Sequence, residues 1–303
     1  MKTKTANKIL FLTTILSIGI QFFMAFIGIR HTTPLLLGGQ LPILLVPIIS
    51  VLFLKIDIVE ELRLKDIKVR TIVFAFLVIL CAYPTISLLN MISMFFVDNA
   101  VAGTALNLYQ NGYFFSMLVM AFLPAIGEEF LMRGVMYHSY RKKSPILAWI
   151  LTSVIFGLFH MNFNQMPYAI FLGLIMVAML EASDSLAAPM FVHFFMNGIA
   201  TTAGYFSAST LQAQVESGYN AESIVGTGAG AMEMLLQMAI LAALTLPLVI
   251  LVIGATFKIN GRKFSEAFRK KEADQKDETH VWDIWLLLSI VIMMILTVIN
   301  TLA

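Results

Sequence analysis

Apolar residues run almost unbroken through nine stretches of the chain, near 9–29, 35–54, 71–96, 113–137, 146–161, 167–182, 187–206, 231–257 and 282–302. A helix rises about 1.5 Å per residue, so about 20 such residues cross the hydrocarbon core of a bilayer. The pattern predicts an all-α fold, a polytopic integral membrane helix bundle of about nine spans. The fifth and sixth runs hold only about sixteen residues each and are joined by the polar turn 161–166. They read as a hairpin that need not fully cross, which the backbone tolerates only where protein or a cavity surrounds it. Pro34, Pro42, Pro47 and Pro84 predict kinks or broken turns in the early spans. Residues 207–230 read as the longest outer loop, and 258–281 as an interfacial or solvated helix. Three regions follow: N-terminal transmembrane helices over 1–112, a core over 113–206, and an outer loop with C-terminal transmembrane helices over 207–303. There is no internal repeat and no separate soluble domain.

Charge orients the bundle. With the N-terminus inside, the inner segments 1–8, 55–70, 138–145, 183–186 and 258–281 hold eighteen of the twenty Lys and Arg residues. Cytoplasmic loops carry such an excess, so the N-terminus is expected inside and the C-terminus outside. The run after Lys2, Lys4 and Lys8 is too long for a signal-peptide core and lacks a small-x-small cleavage site, so it reads as a retained span. Hydrophobic residues make up 59% of the 303 and charged residues 13%, against about 25% charged in a typical soluble domain. That balance excludes a soluble fold. The basic residues lie in short loops without an aromatic platform, so no nucleic-acid partner is expected. Cys81 is the single cysteine, which excludes a disulfide framework and a cysteine metal site. The basic stretch 258–271 is expected to contact anionic membrane lipid.

The candidate chemistry lies inside the apolar runs. Glu128 and Glu129 stand in Ala-Ile-Gly-Glu-Glu-Phe-Leu-Met-Arg, which ends at Arg133. Ionisable groups at that depth are costly and usually serve a function. On a helix Glu129 and Arg133 share a face, while Glu128 is rotated by about 100°. One glutamate should therefore pair with Arg133 and the other face a cavity. His160 closes Phe156-Gly-Leu-Phe-His, and His193 and Asn197 lie four apart on a third run. Counting about 1.5 Å per residue from the inner ends puts Glu128 roughly 14 Å, His193 roughly 9 Å and His160 roughly 20 Å deep, compatible with one site. A carboxylate, two imidazoles and an amide suit water-activating hydrolysis. The carboxylate takes and returns a proton, and donors steady an oxyanion. His31, His138 and His280 sit at edges or loops and are expected to be uninvolved. Gly226-Thr-Gly-Ala-Gly230 reads as a flexible loop rather than a phosphate cradle.

Glu-Glu-x-x-x-Arg at 128–133, Phe-x-x-x-His at 156–160 and His-x-x-x-Asn at 193–197 together resemble the three motifs of the CAAX-protease and bacteriocin-processing family. This family of intramembrane proteases is also called Abi or type II CAAX prenyl endopeptidases. The resemblance covers about 113–206. It implies Glu128 as base, His160 as its water-orienting partner, and His193 with Asn197 as oxyanion stabilisers. Glu129, Arg133 and Phe156 would support them. The favoured reading needs no cofactor. The family has also been treated as metalloproteases, and a zinc ion held by Glu128, His160 and His193 is the alternative. His-Glu-x-x-His, Gly-x-Gly-Asp and Gly-x-Ser-Gly are absent from the chain.

The expectation is an endopeptidase acting on a membrane-associated peptide or protein, in a bacterial cell membrane. Its rivals are a non-catalytic bacteriocin-immunity or regulatory membrane protein and a proton-coupled transporter. The sequence leaves the oligomeric state and the substrate open.

Overall fold

A computed structural model describes residues 1–208, 210, 212–213, 229–267, 269 and 280–302. Among these the chain is all-helical, with no strand. The helices are α1 (Thr3–Phe26), α2 (Thr32–Phe53), α3 (Val69–Met94), α4 (Ala100–Tyr109), α5 (Tyr113–Arg141), α6 (Pro145–Phe159), α7 (Met166–Ser183), α8 (Ala187–Phe206), α9 (Ala229–Ile259), α10 (Phe264–Ala267) and α11 (Ile284–Leu302). Every apolar run of the sequence becomes a helix. Seven of them are long and apolar enough to cross a membrane. The two left out are α6, with 15 residues, and α8, whose run carries His193, Asn197, Thr201 and Thr202. Length and hydropathy alone therefore mark seven candidate spans among the nine helices that the apolar runs form.

Three further expectations change. The prolines at 34, 42, 47 and 84 do not break their helices: α2 and α3 run on through them. A short helix, α4, appears where only a connection was expected. The fourth span is not plain α-helix but contains two π-helical stretches, Leu118–Phe122 and Phe130–Tyr137. Most of the predicted outer loop, including 226–228, and much of 258–281 lie outside the described residues.

Large apolar side chains such as Phe22, Phe53, Val69, Phe96, Leu244 and Leu251 are exposed around the bundle, a surface that hydrocarbon rather than water would cover. Helices α5 and α7 are the most enclosed of the seven, and α9 is the least. Helices α6 and α7 form a tight hairpin. A Cβ on Gly173 would come within 2.9 Å of the Ser153 Cα, so only glycine allows this approach.

The two ends of the bundle differ chemically. One end gathers ion pairs: Arg63 and Arg141 each lie 2.8 Å from Glu181, and Lys65 and Arg262 each lie 3.2 Å from Asp184. Thr71 and Asn260 meet there too. At the other end the links are neutral. Asn164 Nδ2 donates to Ser93, Asn300 to the Met161 carbonyl, and Asn107 and Asn111 to Thr32 and Thr33. The long helices run from one end to the other.

Candidate functional site

The site begins with a local defect in α5. Pro124 has no N–H, so the Met120 carbonyl, four residues earlier, loses its α-helical donor. The helix widens here, and the Leu123 amide reaches back five residues to Leu118. Two side chains from other helices occupy the freed carbonyls. Asn197 Nδ2 on α8 donates to Met120 at 2.9 Å, and Gln40 Nε2 on α2 donates to Val119 at 2.9 Å. Three residues past the proline, Gly127 packs against α2 so closely that a Cβ would lie 3.2 Å from Leu44 Cα. Proline and glycine together clamp α5 between α2 and α8, just before the two glutamates.

Adjacent on the helix, the glutamates meet different surroundings. Glu129 and Arg133 are fully buried, with Arg133 Nη1 donating to Glu129 Oε1 at 2.9 Å. Arg133 Nη2 donates to the Gly173 carbonyl at 3.3 Å, and its guanidinium lies 4.4 Å from the centroid of the Phe156 ring. That contact adds a cation–π attraction and explains the position of Phe156 beneath the site. Glu128 instead lines a cavity of about 580 Å³, and its buried Oε2 has no protein partner.

Both histidines reach the same cavity and are held from behind. His160 Nδ1 lies 2.8 Å from the Phe156 carbonyl. A carbonyl only accepts, so Nδ1 carries the proton and Nε2 is left for the cavity. His193 Nδ1 lies 2.9 Å from Glu129 Oε1 and donates in the same way. Phe156 packs edge-on to both rings, at 4.9 Å from His160 and 5.6 Å from His193. The structure thus brings Glu128, His160, His193 and Asn197 to one cavity, with Glu129, Arg133 and Phe156 in the layer behind. His31, His138 and His280 do not line it.

Gln40 is the participant that sequence reasoning missed. It lines the cavity, and its Oε1 is buried without a partner. A glutamine in an apolar run was the available signal. Gly173, which admits the Arg133 guanidinium, gave no signal at all. Glu181 was also passed over, and it belongs to the ion-paired end rather than to the cavity.

The donors suit zinc in kind. Two imidazoles have Nδ1 held by an oxygen acceptor, as metal-bound histidines usually do, and a carboxylate stands beside them. Their spacing does not suit it. No group of three or more His, Cys, Asp or Glu among the described residues is gathered closely enough to hold one ion.

Residues 110–199 match the family model described as type II CAAX prenyl endopeptidase Rce1-like. The match spans α5 to α8 up to Ile199, and so contains every motif residue named above. No curated protein and no solved structure matches the chain. The Rce1-like family is one of proteases, and the resemblance of this segment to it, together with the apolar helices, supports an integral membrane protein.

Proposed function

We propose that the protein is an intramembrane endopeptidase that hydrolyses a peptide bond with water activated by Glu128. The observation that carries this is the unpaired Glu128 carboxylate in a cavity shared with His160, His193 and Asn197, inside the Rce1-like segment. Glu128 takes a proton from water as the oxygen attacks the substrate carbonyl carbon. His160 Nε2 accepts a hydrogen bond from the water's other O–H and orients it. The carbonyl becomes an oxyanion next to the second amide hydrogen of Asn197, the first being given to Met120. His193 can donate there only as the imidazolium, because Nδ1–H is already given to Glu129. As the C–N bond breaks, Glu128 returns its proton to the leaving nitrogen. Arg133 balances the charge of Glu129, so that Glu128 alone among the glutamates is available for this transfer.

The substrate reading is a membrane-associated peptide or membrane-protein segment. Short loops between spans fit a bacterial cell membrane. The test is Glu128→Gln, which keeps the size but cannot shuttle a proton. Cleavage should fall at least about 10²-fold, the scale of general-base catalysis, with accumulation and melting unchanged. Peptides that persist uncut in cells carrying the variant identify the substrate. Wild-type turnover by a folded Gln variant refutes the assignment.

A further inference from the structure

The cavity runs toward one end of the bundle. Its lining includes Glu128 and His193 from the middle of their helices, and the rest comes largely from the end of α3, from α4, from the turn after α6 and from the end of α8. These are the elements of the neutral end. Ser87, Asn90, Asn99, Asn162 and Gln165 line this part, while Arg63, Arg141, Glu181, Asp184 and Arg262 all lie at the opposite end. The links within each end make this assignment independent of any single helix boundary. Met161 meets Asn300 and Ser93 meets Asn164 on the cavity side, whereas Thr71 meets Asn260 on the charged side.

Two properties of the chain bear on what enters. Eighteen of the twenty Lys and Arg residues fall in the segments joining helices at the charged end, near the N-terminus or within 258–281, and such an excess marks the cytoplasmic side. The lining itself holds no Lys, Arg or Asp among the described residues, and Glu128 is its one carboxylate. It does hold three buried acceptors without protein partners, Gln40 Oε1, Asn164 Oδ1 and Glu128 Oε2. The lining also carries side-chain amides, Asn90, Asn99, Asn162 and Gln165 among them, whose donors and acceptors match the N–H and C=O groups of an extended backbone. A charged side chain in the same vestibule would find few counter-charges.

From these observations we propose that the cavity opens to the membrane face opposite the cytoplasm, and that its substrate is an extended, uncharged peptide segment presented from that face. The substrate half rests on the protease reading above. The sidedness does not, because it follows from where the lining residues lie relative to the basic end. A substrate tethered in the cytoplasmic leaflet would meet the ion-paired end instead.

Sided cysteine labelling decides it. In a Cys81→Ala background, Ser87→Cys reports the cavity, Gln110→Cys the neutral end and Lys143→Cys the charged end. A membrane-impermeant sulfonated thiol reagent applied to intact cells is expected to modify Ser87→Cys and Gln110→Cys but not Lys143→Cys, with the pattern reversed in inverted vesicles. Modification of Ser87→Cys only from the side that modifies Lys143→Cys overturns the placement of the mouth. Modification of Lys143→Cys from outside overturns the orientation. A normally accumulating Ser87→Cys protein that reacts from neither side overturns the open cavity. None of these outcomes depends on proteolysis, so they remain separable from the fate of Glu128→Gln. For the substrate half, the bonds left uncut in Glu128→Gln cells should lie in uncharged segments on the outer face. Cut sites on the cytoplasmic face, or flanked closely by charged residues, overturn it.

Discussion

Arg133 is buried with three demands on it: the Glu129 carboxylate, the Gly173 carbonyl and the Phe156 ring. Removing it leaves Glu129 in the protein interior with only His193 as a partner. Breaking a buried pair costs about 3–5 kcal/mol in soluble proteins. Arg133→Ala should therefore accumulate poorly and melt early in detergent, before any effect on cleavage is considered. A variant that accumulates and melts as the wild type does would shift Arg133 from support to substrate contact. The histidines pose a second question at this scale. If Glu128 activates water without a metal, the active purified protein contains no stoichiometric zinc and keeps its activity in chelator. Zinc bound one to one, with activity lost on removal and restored on return, would replace the metal-free mechanism and leave the peptidase assignment intact.

At the scale of elements, α5 is held by a defect rather than by regular packing. Pro124 removes one helical hydrogen bond, and Asn197 returns a donor from α8. Leaving a buried carbonyl unpaired costs about 1–3 kcal/mol, so Asn197→Ala should lower stability by that amount. With Pro124→Ala the helix can supply its own N–H to Met120, and the cost of Asn197→Ala should shrink. Thermal melting of the four proteins in this double-mutant cycle measures the coupling. Additive effects would mean that Asn197 stabilises the bundle through something other than the freed carbonyl.

Across the whole molecule, the charged end acts as a clasp between distant segments: the connection after α2, the end of α5, the end of α7 and the turn after α9. Burial raises the Asp184 carboxyl, but Arg63, Arg262 and Lys65 outweigh it and hold it below the usual carboxylate range. A depressed carboxylate stabilises the fold above its unfolded pKa, and that contribution is lost as pH falls through the folded value. Melting temperature should therefore drop as pH is lowered from neutral past the ordinary Asp value of about 3.9. Asp184→Asn should flatten the acid part of that profile. An unchanged slope in the variant would place the acid sensitivity elsewhere.

The helical membrane fold was legible in the sequence because a bilayer leaves the backbone few alternatives, and run length alone then marks each of the nine longer helices, though not the short α4. The separation of Glu128 from Glu129 was legible too, since i,i+4 spacing puts Glu129 with Arg133 and rotates its neighbour away. The crossing count was less so, because α6 is short and α8 is diluted by the polar residues that line the site. The π-helical stretch around Pro124 needed the structure, although the proline was its available sign. Gln40 and Asn197 reach their carbonyls across 79 and 77 residues, and His193 reaches Glu129 across 64. Periodicity carries no information over such separations, which is why only the tertiary structure decided these contacts and the end at which the cavity opens.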